Sequence, residues 1–248
     1  MAVRVYGPLN DFLPARQRQS TSIRTLQGRT TVKDLIESLG VPHPEIDLII
    51  VNGSSVPFDY IVEPGDRIAV FPRFVTIDIS TVAGVRPSPP AVIRFVVDVH
   101  LGKLAKRLRL LGLDAAYRTG AHDDELADMA RREERILLTR DQQLLKRRVV
   151  DYGFFVRSTR PHDQLVEVLR RFGPLALDPF SRCIRCNTEL REVSKDVVDA
   201  ALQPQTRAHY DQFHACAGCS RIYWKGSHWK RLTQAIDAAL NDAGDRRR

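Results

Sequence analysis

The sequence predicts an α/β protein in which a small strand-rich N-terminal domain precedes a parallel-sheet domain and a cysteine-bearing C-terminal segment. Three observations predict it. Residues 92–171 alternate short apolar runs with amphipathic helical patterns, the order that puts helices on the faces of a parallel sheet. Residues 1–80 carry several strand patterns around a single helical one. Between the two, Thr81 to Ala91 gathers Gly84, Pro87, Ser88, Pro89 and Pro90, a composition that neither packs nor forms helix and marks a linker.

A length of 248 residues leaves room for two domains, or for one large core with a small appendage. No apolar run approaches the roughly 20 residues needed to span a bilayer, so no membrane partner is expected. Met1-Ala2-Val3-Arg4-Val5-Tyr6 reads as a strand rather than a signal peptide, and the expected location is cytoplasmic.

In the first 80 residues, strands are expected at 2–7, 22–27, 47–51 and 67–71, with a helix near 31–39. Thr30 or Thr31 can cap that helix, and Leu35, Ile36 and Leu39 give it an apolar stripe. The strand–strand–helix–strand–strand order fits a β-grasp domain. Val51-Asn52-Gly53, Val56, Asp59, Pro64-Gly65-Asp66 and Ile68-Ala69-Val70-Phe71-Pro72 resemble the ubiquitin-like sulfur carriers of thiamine and molybdopterin synthesis. Those carriers end in a free Gly-Gly. Here Phe71-Pro72-Arg73-Phe74 runs on into more chain and Gly84 is single and internal, which disfavours sulfur transfer and leaves a structural role or the docking of a protein partner.

Beyond the linker the pattern runs 92–97 strand, 99–112 helix, 113–117 strand, 123–134 helix, 135–139 strand, 142–149 helix, 153–157 strand and 162–171 helix. The alternation stops near Phe172-Gly173-Pro174. A cysteine-bearing segment follows at 183–224, then a final helix near 228–242 and a frayed tail at 244–248. The expected domains are 1–80, a linker at 81–91, an α/β domain at 92–175, and the cysteine segment with its helix at 176–242.

Two of the apolar strands run into an aspartate. Val92-Ile93-Arg94-Phe95-Val96-Val97 ends at Asp98, and Arg135-Ile136-Leu137-Leu138-Thr139-Arg140 ends at Asp141. Between them a helix opens with Asp123-Asp124-Glu125. The carboxyl ends of parallel strands form the edge where α/β proteins bind ligands. Carboxylates gathered there repel one another, and a divalent cation makes such a cluster tolerable. Each acid also has a plain reading as a helix N-cap, worth about 1 kcal/mol; one carboxylate can do both.

At this point the match becomes one of family. Phe95-Val96-Val97-Asp98, followed by Leu101-Gly102-Lys103-Leu104-Ala105-Lys106-Arg107-Leu108-Arg109-Leu110-Leu111-Gly112, resembles the opening of the Mut-seven C-terminal ribonuclease domains, a PIN-like group. Asp123-Asp124-Glu125-Leu126 and Arg135 to Asp141 continue the signature; a terminal zinc ribbon also belongs to that group, and an attached ubiquitin-like domain occurs in one branch of it. The resemblance implies a nuclease whose acids hold Mg²⁺ or Mn²⁺. Asp98 and Asp141 are then the strand-end ligands and Asp124 the helix-borne one, with Asp123 or Glu125 as its substitutes. PIN domains often use a fourth acid after the next strand; here Val156-Arg157-Ser158-Thr159 offers none, and Asp163 is the nearest. His100 and His122 read as incidental surface residues.

The charge supports a polyanionic partner. Residues 1–90 hold equal numbers of acids and bases, so the whole net charge of +8 lies in the remainder. On the helix after Asp98, Leu101, Leu104, Ala105, Leu108 and Leu111 should face the core. Lys103, Lys106, Arg107 and Arg109 should fall largely on the other side. Lys103 and Arg107, one turn apart, are expected to grip RNA phosphates, with Arg140 as a further contact. No row of aromatics is present for base stacking, so strong base selectivity is not expected.

Cys183-Ile184-Arg185-Cys186 and Cys216-Ala217-Gly218-Cys219 use every cysteine in the chain. Two such pairs suit one tetrahedral, structural Zn²⁺, and residues 194–202 are expected to form a short inserted helix. Arg182, Arg185, Arg221, Lys225, Lys230 and Arg231 surround the ribbon with Tyr223, Trp224 and Trp229, a mixture that suits RNA guidance or simple packing. The function expected from all this is a metal-dependent endoribonuclease, a hydrolase of RNA phosphodiesters. The alternative is a non-catalytic RNA-binding adaptor that keeps the ribbon. Because the candidate acids, the basic helix and the ribbon all lie beyond the linker and the first domain is neutral, removal of residues 1–85 should leave cleavage of a short RNA largely intact.

Overall fold

A computed structural model describes residues 1–26, 28–74, 82, 85, 90 and 92–245 of the chain. Its N-terminal elements are β1 (Ala2–Val5), β2 (Thr21–Ile23), α1 (Val32–Ser38), β3 (Ile46–Val51), β4 (Ser54–Ser55) and β5 (Arg67–Pro72). The strands form one sheet in the order β2-β1-β5-β3-β4. Only β1 and β5 pair in parallel; β1–β2, β3–β4 and β3–β5 are antiparallel. Thr31 caps α1, its hydroxyl accepting from the Asp34 amide at 3.1 Å. Val32, Leu35 and Ile36 bury the helix against Val3, Val5, Ile49 and Val70.

The Val51-Asn52-Gly53 motif is a hairpin turn. Asn52 and Gly53 have φ of 51° and 93°, and both residues of a type I′ turn need positive φ. The Pro64-Gly65-Asp66 motif closes over it. The buried Asp66 carboxylate accepts from Asn52 Nδ2 at 2.8 Å and from the Glu63 amide at 2.8 Å.

The chain continues through β6 (Phe95–Val97), α2 (Gly102–Leu110), β7 (Ala115–Ala116), α3 (Asp123–Arg132), β8 (Ile136–Thr139), α4 (Gln142–Leu145), β9 (Gly153–Phe155) and α5 (Pro161–Phe172). The C-terminal part contains β10 (Leu190–Val193), α6 (Lys195–Val198), α7 (Pro204–His209), β11 (Phe213–Cys216), β12 (Ile222–Tyr223) and α8 (Ser227–Asp245). The expected alternation is present, with shorter elements. A 3₁₀ turn, Val99–Leu101, precedes α2. The helix expected at 142–149 is the single turn α4, and α7 had no counterpart in the sequence reading. Most of the expected linker, and the tail beyond Asp245, lie outside the described residues, as do the side chains of Lys230 and Arg231.

Two compact units emerge: Met1–Val92 with Asp123–Phe155, and Ile93–His122 with Val156–Arg248. In the first, β8 and β9 pair in parallel, and every residue of β8 is buried. The N-terminal domain packs directly on this segment. Buried His43 has Nε2 2.8 Å from the Val150 carbonyl and Nδ1 2.6 Å from Glu37. Lys146 donates to the Glu37 carbonyl at 2.9 Å. Buried Glu45 accepts the Phe155 amide at 2.6 Å, and the Phe12 and Phe155 rings meet edge to face.

In the second unit β6 and β7 pair in parallel, and all three residues of β6 are fully buried, as a two-sided parallel strand requires. Helix α2 ends in a Schellman motif. The Leu113 amide bonds the Leu108 carbonyl, and the Gly112 amide bonds that of Arg109, each at 3.0 Å. Gly112 has φ +83° and leaves no room for a Cβ, which would lie 2.1 Å from the Asp178 carbonyl. The segment leading into the cysteine region is therefore laid on the end of α2. Strands β10, β11 and β12 form an antiparallel sheet.

Arg109 overturns one expectation. It belongs to no solvent-facing basic stripe: it is 2% exposed. Its Nε donates to the Ala115 carbonyl at 2.8 Å, and its Nη1 to the carbonyls of Ile184 and Arg185 at 3.2 and 2.7 Å. Helical spacing put it near the boundary between faces, and the three carbonyls beneath decide its side.

Candidate functional site

In each unit a fully buried parallel strand surfaces close to an acid. In the second unit β6 delivers Asp98, 4% exposed, whose Oδ1 accepts from the His100 amide at 3.4 Å and so caps the turn before α2. In the first unit the chain leaving β8 reaches Asp141, which caps α4. Its Oδ1 accepts from the amides of Gln143 and Leu144 at 2.7 and 3.3 Å, and its own amide donates to Thr139 Oγ1 at 2.9 Å. The capping role foreseen for both acids is real. It engages Oδ1 in each case.

Asp123 and Asp124 open α3 in the first unit, where acids are favoured by the helix dipole. The Asp124 side chain is 85% exposed and pairs with Arg147 Nη1; Asp123 lies 3.9 Å from Nη2 of the same arginine. The acids are hard oxygen donors, the chemistry that suits Mg²⁺ or Mn²⁺. Asp163 is engaged locally, accepting from Arg160 at 2.6 Å and from Ser158 Oγ at 3.3 Å. Of the expected phosphate contacts, Lys103 is exposed on α2. Arg107 and Arg140 are half-buried, and burial lowers the Arg107 pKa.

The cysteines come together. All four Sγ atoms lie within 4.8 Å of one another. Cys183 Sγ is 3.6 Å from Cys219 Sγ, and Cys186 Sγ is 3.3 Å from Cys216 Sγ. A tetrahedron with Zn–S bonds of about 2.3 Å has edges of about 3.8 Å, so the cluster fits one zinc ion with all positions filled by protein. The two Cys-x-x-Cys turns share one construction. The Asn187 amide donates to the Cys183 carbonyl, and the Ser220 amide to the Cys216 carbonyl, both at 2.9 Å. Asn187 and Ser220 both have positive φ, 73° and 56°.

Protonation within the cluster is divided. Burial pushes Cys219 up to about 12 and also raises Cys216. Burial acts in the same sense on Cys186, but its hydrogen bonds with Thr188, Cys216 and Cys183 together outweigh it and hold that thiol down to about 6. Zinc binding requires thiolates, so it would release protons from these groups.

Sequence reasoning missed the residues that tie this centre to the rest of its unit. Asn187 donates to Asp114 Oδ1 at 2.7 Å and accepts the Ala115 amide at 3.0 Å, joining the first cysteine turn to the edge of β7. Arg109 grips the same turn from beneath, and Tyr223 Oη lies 3.0 Å from Cys183 Sγ. An asparagine immediately after a Cys-x-x-Cys pair was the available signal, since Asn tolerates the left-handed region better than most residues.

The family model described as Mut7-C RNAse domain matches residues 93–236, and that described as Mut7-C ubiquitin matches residues 1–78. A human protein described as "Exonuclease mut-7 homolog" is 35% identical over 136 residues, covering 51% of this chain. The match covers only 16% of that relative's own length. No solved structure matches. The fold class is thus the one the sequence predicts: an N-terminal ubiquitin-like domain, a mixed α/β part with parallel strands, and a cysteine cluster compatible with a zinc ribbon.

Proposed function

We propose, from the premise that this chain belongs to the Mut7-C RNAse family, that it is a metal-dependent endoribonuclease whose active-site acids are Asp98, Asp124 and Asp141. The observation that carries the reading is the repeated device of a fully buried parallel strand delivering an aspartate. Asp98 and Asp141 are both held in place by backbone amides on Oδ1. An amide-held carboxylate is oriented before any ligand arrives, which is what a hydrolytic site needs. A divalent ion such as Mg²⁺ or Mn²⁺ would supply activation of water and neutralisation of charge on the phosphoryl group. Asp98, Asp124 and Asp141 would be the residues that hold such an ion. Lys103, Arg107 and Arg140 would hold substrate phosphates. The four cysteines would carry one structural Zn²⁺.

The Asp124–Arg147 pair favours a second reading, an RNA-binding adaptor without catalysis, because a carboxylate satisfied by arginine has no need of an ion. The human relative's description as an exonuclease raises a third, although most of that protein lies outside the match. One experiment separates them. Purified protein is incubated with linear and with circular single-stranded RNA, with Mg²⁺, with Mn²⁺ or without divalent ion, and the cut ends are sequenced. Metal-dependent cutting of the circle establishes endonuclease action. Cutting of the linear RNA alone indicates an exonuclease, and binding without cutting indicates the adaptor.

A further inference from the structure

Beside Asp98 the second unit carries a groove of about 880 Å³, within the size range of ligand-binding clefts. Lys103 and Lys106 from α2 form one part of its lining. Arg185, inside the first Cys-x-x-Cys turn, and Arg221, just after the second, form another; His100 and Tyr117 also line it. No aspartate or glutamate contributes to the lining. Lys103, Lys106, Arg185 and Arg221 are all exposed, and among the described residues none of them is in an ion pair. Four cations without counter-charge around one concavity raise the local potential and favour a polyanion. His100, which lines the groove, donates its amide to Asp98.

The backbone of both arginines is anchored beside the cysteine centre. The Arg185 carbonyl is held by buried Arg109, and the Arg221 carbonyl by the Cys216 amide at 3.0 Å. Their side chains therefore stand on rigid turns rather than on a loose loop, so less entropy is lost when they take a ligand.

We infer that this groove binds the phosphodiester backbone of single-stranded RNA, with Lys103 and Lys106 near Asp98 and Arg185 and Arg221 engaging phosphates further along the strand. The cysteine turns are then part of the substrate surface as well as a fold element. The inference rests on the ribonuclease reading for the nature of the polyanion. It also shifts the expected grip on α2 from the Lys103–Arg107 pair to Lys103 with Lys106.

The test measures binding apart from cleavage. Full-length protein is titrated against a short fluorescein-labelled single-stranded RNA, followed by anisotropy at several salt concentrations in buffer without added divalent ion. Arg185→Gln/Arg221→Gln and Lys103→Gln/Lys106→Gln are each compared with wild type and with Arg131→Gln/Arg132→Gln, which alters exposed cations of α3 outside the groove. Zinc content confirms that each variant is folded. Each groove pair should weaken binding about tenfold and reduce the salt slope by about 1.4, the release expected from two phosphate contacts on a single strand. The α3 pair should change neither. Groove variants that bind like wild type overturn the inference, as does poly-glutamate competing as well as unlabelled RNA. Groove-dependent binding by a protein that never cuts would sink the hydrolytic reading and leave the groove standing.

Discussion

Asp98 and Asp141 each cap a helical turn, and under the proposed function the same carboxylates would also hold a metal ion. Asparagine caps a helix as well as aspartate does, so Asp98→Asn and Asp141→Asn should leave the fold and the zinc content unchanged. Both should abolish divalent-dependent cleavage, because the amide lacks the charge that holds the ion. Thermal melts beside a cleavage assay check this, and an Asp141→Asn protein that cuts at the wild-type rate removes the assignment. Arg109 makes the opposite case, a charged residue whose partners are all backbone. Arg109→Met fills similar space but leaves the carbonyls of Ala115, Ile184 and Arg185 without their donor. The expected cost is on the order of 3 kcal/mol, read as a lower urea midpoint with an unchanged slope.

At the scale of elements, the cysteine centre replaces a core its segment is too small to build. Among the described residues, its segment contributes a three-stranded sheet and a small buried cluster of Val198, Leu202 and Phe213. Metal binding there is folding free energy. One zinc per chain is expected by elemental analysis. Cys216→Ser should lose the metal together with amide protection across residues 183–224. Acidification should act in the same direction: with Cys216 and Cys219 held above the ordinary thiol range, zinc must displace their protons, so affinity falls as pH falls. Zinc retention that is flat from pH 8 to pH 5 would contradict this. Gly112 is the joint between α2 and the cysteine segment. Gly112→Ala meets both the positive φ and the Asp178 carbonyl, and should destabilise by more than the roughly 1 kcal/mol set by glycine's conformational freedom alone.

For the whole molecule, the neutral N-terminal domain is the main revision. Charge suggests that it is dispensable. The contacts of His43, Glu45 and Lys146, and of Phe12 with Phe155, say that its removal strips partners from the α4–β9 segment. A fragment of residues 86–248 is therefore expected to be poorly folded and inactive, even on a short oligonucleotide. Circular dichroism, solubility and zinc content check it. A well-folded fragment with full cleavage would restore the simpler view of a docking module. His43→Phe probes the same contact more gently: it leaves the Val150 carbonyl and Glu37 without their partner, a loss of about 1–3 kcal/mol in stability.

The sequence by itself determined whatever depends on local period and local chemistry. Thr31 capping α1, the Asn52-Gly53 hairpin, the buried runs before Asp98 and Asp141, and the paired Cys-x-x-Cys turns all follow from residues adjacent in the chain. So did the family, because its signature is written in such runs. Only the tertiary structure decided that Arg109 faces inward, that Asp124 meets Arg147, that Arg185 and Arg221 border one groove with Lys103 and Lys106, and that His43 reaches Val150. Each of these joins positions from well over ten to about a hundred residues apart in the chain. Periodicity gives the face a side chain occupies but not what lies opposite. A buried guanidinium and a solvated one leave the same trace in a helical pattern, and burial and polar partners are set by the elements that fold against it.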